Sequence, residues 1–293
     1  MSPAPSLELA LQWAVGLGLA RIDAQMLLLH SVGQPTHQRA WLITHDRDVL
    51  SSPQWTAFQN ACERRAAGEP VAYITERKAF FALDLHITPS VLDPRPDTET
   101  LVEWALELLT PESHAAVLDL GTGSGAIALA LKAQRPHCAL TAVDASLDAL
   151  AVARSNSEGL HLPITLRHGN WFAPVAGLRF DLIVSNPPYL AADDAHLPAL
   201  RHEPLAALVA GADGLDDIRH IIATAPQHLQ AGAWLLLEHG YEQAAAVQAL
   251  LQAAGFRQLT TRADLAGQPR CTGGRMPSSG TSSSTSDSTP AHD

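Results

Sequence analysis

From about Ser6 to Gly68, apolar positions recur at helical spacing and no run alternates as a strand does. Asp23 to His30 is one such stretch, and Trp55, Phe58, Cys62 and Arg65 mark another. Ser52-Pro53 offers the second helix an N-cap followed by proline at its first position, and Gly68-Glu69-Pro70 ends it. The leading segment therefore predicts a small helical bundle. Around Phe81-Ala82-Leu83-Asp84-Leu85-His86-Ile87 the period changes to two, the pattern of a half-buried strand, and Thr88-Pro89-Ser90 breaks it. This predicts a hairpin between two domains. After Pro96 a helix starts near Asp97-Thr98, with acidic residues in its first turn. From Ala115 onward, apolar strands at 116–120, 139–143, 164–167, 181–185, 233–238 and 257–261 alternate with helical stretches. That alternation predicts an open, mostly parallel α/β sheet, whose chemistry is expected beyond the carboxyl ends of its strands. The resulting division is a helical domain at 1–75, a hairpin linker at 76–95, a catalytic domain at 96–275 and a disordered Ser-rich tail at 276–293.

Composition narrows the class. Of 293 residues, 46% are hydrophobic, enough for a substantial core, and 19 Lys+Arg against 30 Asp+Glu give a net charge of −11. An acidic chain is a poor candidate for gripping nucleic-acid phosphates over a broad basic face. No stretch approaches the roughly 18 to 20 apolar residues of a membrane span, and no secretory signal is visible at the start. Cys62, Cys138 and Cys271 are far apart and form no CxxC pair, which disfavours a disulfide framework and a zinc site and suits the cytoplasm. The histidines show no ligand spacing, and no GxSxG elbow, P-loop or HExxH is present, so no metal is expected.

The strand ending at Leu120 runs into Gly121-Thr122-Gly123-Ser124-Gly125 and then a helix. Glycines let this turn fold tightly and approach a ligand without an intervening Cβ. Asp144, at the end of the next strand, can accept hydrogen bonds from two ribose hydroxyls. A nucleoside-containing cofactor follows, but two remain open. Gly121, Gly123 and Ala126 satisfy the dinucleotide fingerprint, whereas Asp119-x-Gly121-x-Gly123-x-Gly125 fits S-adenosylmethionine-dependent methyltransferases. In the second case Asp119 either helps hold the amino group of the cofactor or caps the local turn.

The strand at 181–185 continues into Asn186-Pro187-Pro188-Tyr189. Two prolines lock φ and remove two N–H donors, so the loop is stiff. The side-chain oxygen of Asn186 and the carbonyl of Pro187 can both accept from a planar –NH₂ group, aiming its nitrogen at a methyl donor. Tyr189 adds a flat face over the substrate plane. A hydride-transferring enzyme has no evident use for such a clamp, so the dinucleotide reading recedes.

On these residues the chain resembles the class I methyltransferases that modify planar nitrogens, and more narrowly the PrmC/HemK release-factor glutamine methyltransferases. The resemblance runs from about residue 23 to 270 and includes Glu69-Pro70-Val71-Ala72-Tyr73-Ile74, Pro94-Arg95-Pro96-Asp97-Thr98-Glu99, His202-Glu203-Pro204, Gly211-Ala212-Asp213-Gly214-Leu215, and Asp264-Leu265-Ala266-Gly267 with Arg270. It departs at Asp97, where glutamate is usual, at Asn170, where aspartate is common, and at His239, where isoleucine is frequent. The resemblance implies a Rossmann-like, mostly parallel seven-stranded sheet behind a helical bundle. It implies S-adenosyl-L-methionine as cofactor, held by Asp119, Gly121, Thr122, Gly123, Ser124, Gly125, Asp144, Trp171 and Asn186. It further implies methylation of the side-chain amide nitrogen of a Gly-Gly-Gln glutamine in peptide chain release factors. Asn186, Pro187 and Tyr189 would be catalytic and Asn186, Pro187, Pro188 and Tyr189 would bind substrate, with Trp171 packing on adenine. The leading helices would grip the protein substrate, with Arg64, Arg65, Arg77 and Lys78 as a basic group near the junction. A cytoplasmic monomer acting on protein, with no membrane and no nucleic acid, is expected. The rivals are a ribosomal-protein glutamine methyltransferase, an adenine-N6 DNA or RNA methyltransferase, and a cofactor-binding module without catalysis.

Overall fold

The computed structural model describes residues 4–278, so the tail expected at 276–293 lies outside the described residues from 279 onward. The chain opens with α1 (Leu7–Gly16), α2 (Arg21–Ser31), α3 (Arg39–Thr44), α4 (Ser52–Ala66) and α5 (Val71–Thr75). Their apolar faces meet in a separate core around Leu27, Leu28, Leu29 and Phe58. The cap of α4 falls one residue before the predicted Ser52. Ser51 accepts from the Gln54 amide, and the Gln54 side chain takes the Ser51 N–H in return. Only Ser51 has glutamine at the third helical position, so only it closes this reciprocal box.

A short hairpin follows, β1 (Arg77–Phe80) and β2 (Leu83–His86), paired antiparallel. The period-two run at 81–87 is thus part turn, part strand. Phe81 and Ala82 form the turn at φ of 46° and 61°, a conformation uncommon without glycine. Glu99 supports it by accepting the Phe81 N–H at 3.0 Å.

The remainder is a seven-stranded sheet flanked by helices. In chain order the elements are α6 (Glu99–Leu108), β3 (Ala116–Leu120), α7 (Ala126–Gln134), β4 (Ala139–Asp144), α8 (Leu147–Gly159), β5 (Thr165–His168), β6 (Phe180–Ser185), α9 (Asp216–Thr224), β7 (Leu229–Glu238), α10 (Ala244–Ala253), β8 (Arg257–Ala263) and β9 (Pro269–Arg275). The spatial order is β5-β4-β3-β6-β7-β9-β8. The first five strands run parallel, and β9 pairs antiparallel with both β7 and β8. One buried cluster covers the face under α6 and α7, and a second lies under α9 and α10. Among the described residues no helix is long and apolar enough to cross a membrane.

The seventh strand, β9, has no counterpart in the hydrophobic pattern. Its middle is Gly273-Gly274, which carries no side chain to alternate. Packing explains the glycines: a Cβ on Gly273 would sit 2.5 Å from the Leu236 side chain and 2.8 Å from Trp104, and one on Gly274 2.8 Å from Leu259. Neighbours fill the space that side chains would occupy.

Candidate active site

Adjacent parallel strands β3 and β6 place Leu120 opposite Ser185, and the Ser185 hydroxyl donates to the Leu120 carbonyl at 2.7 Å. The chain departs from β3 towards β4 on one side and from β6 towards β7 on the other. The loops 121–125 and 186–189 therefore leave the sheet together where the strand order reverses, the usual ligand position in such sheets.

Gly121, Gly123 and Gly125 all have positive φ, at 69°, 55° and 83°. At Gly125 close packing adds to this, since a Cβ would meet Leu129 at 3.1 Å and Ala153 at 3.3 Å. Asp144 holds the loop from β4: one carboxylate oxygen accepts the Gly123 N–H and the other the Ser146 N–H, both at 2.8 Å. A carboxylate has about four acceptor sites, so it retains capacity for hydroxyl donors.

Beside this loop is a cavity of about 440 Å³. Gly121, Thr122, Gly123, Ser124, Asp144, Trp171 and Asn186 reach its wall, whereas Asp119 and Gly125 do not. Asp119 is fully buried beneath the loop, where it accepts from the Thr122 hydroxyl at 2.6 Å, and its Oδ1 has no partner among the described residues. Burial pushes its carboxyl up to about 7, against the pull of the Thr122 and Ala128 hydrogen bonds. The geometry is that of a turn cap. Trp171, at φ 45°, lays its ring across Gly121, with a ring carbon 3.5 Å from where a Cβ would stand. Asp217 lies on the same wall, and its carboxyl is raised chiefly by burial.

A second cavity, about 970 Å³, lies between the helical segment and the sheet domain. Asn186 lines both cavities, Pro188 only the smaller and Tyr189 only the larger. Pro187 is buried and lines neither. The Asn186 amide is held by its nitrogen, which donates to the Thr98 hydroxyl at 3.2 Å. Its oxygen is the atom left for a ligand.

Backbone contacts fix the rest of the loop. Tyr189 donates its N–H to Leu208 at 3.2 Å and accepts from the Gln243 side chain at 3.0 Å. A Cβ on Gly214 would sit 2.2 Å from the Tyr189 carbonyl oxygen, and its φ is 71°, so glycine is required there. Asn156, 4% exposed, joins three segments: its Oδ1 accepts the His86 N–H at 2.7 Å, and its Nδ2 donates to the carbonyls of His86 and Ser124, both at 2.9 Å. Sequence reasoning missed Asn156 and Gln243, which carry no local motif. Thr98 lay inside a quoted segment but without an assigned task.

The basic group at the junction is neutralised in place: Arg64 pairs with Glu69, Arg65 with Asp23, Arg77 with Asp84 and Lys78 with Asp93. His239 is buried, which lowers its pKa. Its Nδ1 is 2.8 Å from the Gly240 carbonyl, which can only accept, so Nδ1 carries the proton and Nε2 accepts from Thr272 at 2.7 Å.

Comparison with known proteins agrees with this architecture. Residues 10–75 match the family model described as PrmC N-terminal domain, and residues 98–213 match Methyltransferase small domain. A release factor glutamine methyltransferase of Xylella fastidiosa is 47% identical over 262 residues, covering 88% of this chain and 94% of that protein. The one from Pseudomonas aeruginosa is 49% identical over 259 residues, covering 87% and 92%. Among solved structures, a methyltransferase from Pyrococcus furiosus aligns with a TM-score of 0.54 at 18% identity, over 75% of this chain and 99% of that one. At that identity the likeness concerns the fold alone.

Proposed function

This chain belongs to the release factor glutamine methyltransferases, and from that membership we propose which of its own residues carry the reaction. It transfers methyl from S-adenosyl-L-methionine to a glutamine of a release factor. The single observation that carries the assignment of residues is that Asn186 lines both cavities. Leu92 and Ala207 line both as well, but of the three only Asn186 brings a polar side chain to the junction.

The smaller cavity suits the cofactor. Its volume of about 440 Å³ falls within the roughly 300–1,000 Å³ of small-molecule sites. Asp144 has acceptor capacity for the ribose hydroxyls, Trp171 offers a face for adenine, and Gly121 to Ser124 leave the backbone open to the methionine part. Asp119 and Gly125 support this loop from below, Asp119 through Thr122. When bound, S-adenosyl-L-methionine supplies an electrophilic methyl group on a sulfonium.

The larger cavity suits a glutamine-bearing loop of the protein substrate, for which the resemblance indicates the Gly-Gly-Gln loop. The helical segment forms one of its walls through Arg65 and Val71, which supports a substrate-gripping task for residues 1–75. The Asn186 oxygen accepts one amide N–H, while Tyr189 and Pro188 confine the amide plane. The Pro187 carbonyl takes the other N–H only if the bound amide reaches past the cavity walls, which Pro187 does not line. An amide nitrogen is a poor nucleophile because its lone pair is delocalised. Holding that nitrogen at the junction with the cofactor cavity would let proximity and orientation remove several kcal/mol of barrier. Acceptors placed where positive charge grows on nitrogen add to this. The monomer is the proposed working unit, since one chain lines both cavities, and the reducing cytoplasm the proposed setting, since all three cysteines are free and buried.

Asn186→Ala is expected to lower kcat by about 100-fold or more, the scale seen when one preorganised transition-state contact is lost. Affinity for S-adenosylhomocysteine, read by calorimetry, should change little. Unchanged turnover would remove Asn186 from the mechanism.

A further inference from the structure

The segment Pro94–Glu99 has so far no part in the reaction, yet it is pinned along its length. Arg95 pairs with buried Glu203, Asp97 pairs with Arg270 at 3.1 Å, and Glu99 holds the hairpin turn. Pro94 and Thr98 line the smaller cavity and Arg95 the larger, and of these Thr98 is the one bonded to Asn186. It is 4% exposed, reaches the wall of the smaller cavity, and accepts the Asn186 side-chain N–H at 3.2 Å.

An accepting hydroxyl must send its own proton elsewhere. The carboxyl of Glu238, last residue of β7, has its pKa raised by burial, and the Thr98 side chain is the strongest pull against that rise. Glu238 is 1% exposed and its Oε2 has no partner among the described residues. The side chain of β6's loop thus rests on the turn before α6, and that turn rests on the neighbouring strand.

The polarity of this chain matters because an asparagine amide can sit either way round. An ionised Glu238 can only accept, so it takes the Thr98 proton in a hydrogen bond and the hydroxyl presents only lone pairs to Asn186. The amide nitrogen then faces Thr98, and the oxygen must face the cleft. In the flipped orientation two oxygens would meet with no proton between them, and the NH₂ would face the substrate's own donors. We propose that Thr98 and Glu238 are positioning residues that hold the Asn186 amide with its oxygen towards the substrate nitrogen. The proposal rests on the assignment of Asn186 to that nitrogen.

The test compares Thr98→Val, Thr98→Ser, Glu238→Leu, Asn186→Ala and the Thr98→Val/Asn186→Ala double variant in the full chain, with a release factor as substrate. Thr98→Val keeps the volume and removes the hydroxyl. It should lower kcat on the order of 10- to 100-fold, as misorientation of a reacting group does. The KM for S-adenosylmethionine and the Kd for S-adenosylhomocysteine should remain within about threefold, less than the loss in kcat. Thr98→Ser should recover most of the turnover, and Glu238→Leu should show the same split between kcat and KM. In the Asn186→Ala background Thr98→Val should cost nothing further, because Thr98 acts only through that amide. Parental turnover in Thr98→Val overturns the proposal and leaves the role of Asn186 intact. Losses that multiply in the double variant, or a fall in S-adenosylhomocysteine affinity matching the fall in kcat, also overturn it. Parental turnover in Asn186→Ala overturns the reading beneath it.

Discussion

Asp119 supports a loop of a cavity that it does not itself line. Its carboxyl is buried below the glycine loop, with one oxygen on Thr122 and the other without a partner among the described residues. Burial raises its pKa from 3.8 to about 7, so between those values the folded chain holds a proton that the unfolded chain has released. Stability is therefore fully present below the lower value and declines as pH rises towards the upper one. Glu238, raised to about 7 by burial, contributes a slope of the same sign. Asp119→Asn keeps an oxygen for Thr122 and removes the titration. Its melting temperature should fall less than the parent's between about pH 4 and pH 7. Of the slope that remains, Glu238 contributes in the same sense and His239, whose pKa burial lowers, in the opposite one. Identical slopes in the two proteins would show that the buried carboxyl does not titrate in this window. The parts of the site legible in the sequence are those whose chemistry is contiguous: the Gly121–Gly125 loop, Asp144 one strand later, and Asn186–Tyr189. Thr98 meets Asn186 across 88 positions and Asn156 meets His86 across 70. No local pattern marks such a pair, because nothing but the closed fold brings it together.

At the scale of elements, the four central strands β3, β4, β6 and β7 were visible because their apolar side chains are buried. The edge strands β5 and β8 showed although mostly exposed, and β9 did not, because Gly273 and Gly274 make room for the side chains of others. The hairpin was visible as a change of period, but its turn was misplaced. Phe81-Ala82 has no turn chemistry of its own and is held by Glu99 from α6. Asn156 on α8 is the corresponding tie between β2 and the glycine loop. Replacing it with alanine strands the N–H and carbonyl of His86 and leaves the Ser124 carbonyl without this donor. A buried polar group without a partner costs about 1–3 kcal/mol, so Asn156→Ala should lose roughly 2–4 kcal/mol in a urea titration after partial relaxation. The loss should be accompanied by weaker S-adenosylhomocysteine binding, since the Ser124 end of the loop is released with it. A change below about 0.5 kcal/mol would mean that water replaces all three contacts, and that the tie is not what aligns the hairpin with the cofactor loop.

For the whole molecule, the charge of −11 gains a location. The large cavity is rich in cations, but each is answered: Arg65 by Asp23, Arg77 by Asp84, Lys78 by Asp93, Arg95 by Glu203, and Arg270 by Asp97 and Asp264. Asp193, Asp194 and Glu242 add further negative charge to the same wall. A duplex would have to break these pairs to gain phosphate contacts, and would meet the remaining carboxylates at close range. A polypeptide loop carrying a neutral glutamine meets neither cost. The Asn186–Tyr189 turn suits any planar amine, adenine included, so the cleft electrostatics rather than the turn decide between the two substrates. Duplex DNA should therefore accept no label from methyl-labelled cofactor under conditions that label a release factor. Transfer to the release factor should change by less than about threefold between 50 and 200 mM salt, where a protein making 6–10 phosphate contacts loses about 10³–10⁵ in affinity. Labelled DNA, or a steep loss of transfer over that salt range, would mean that these ion pairs open on binding and that the cleft is a basic groove held shut.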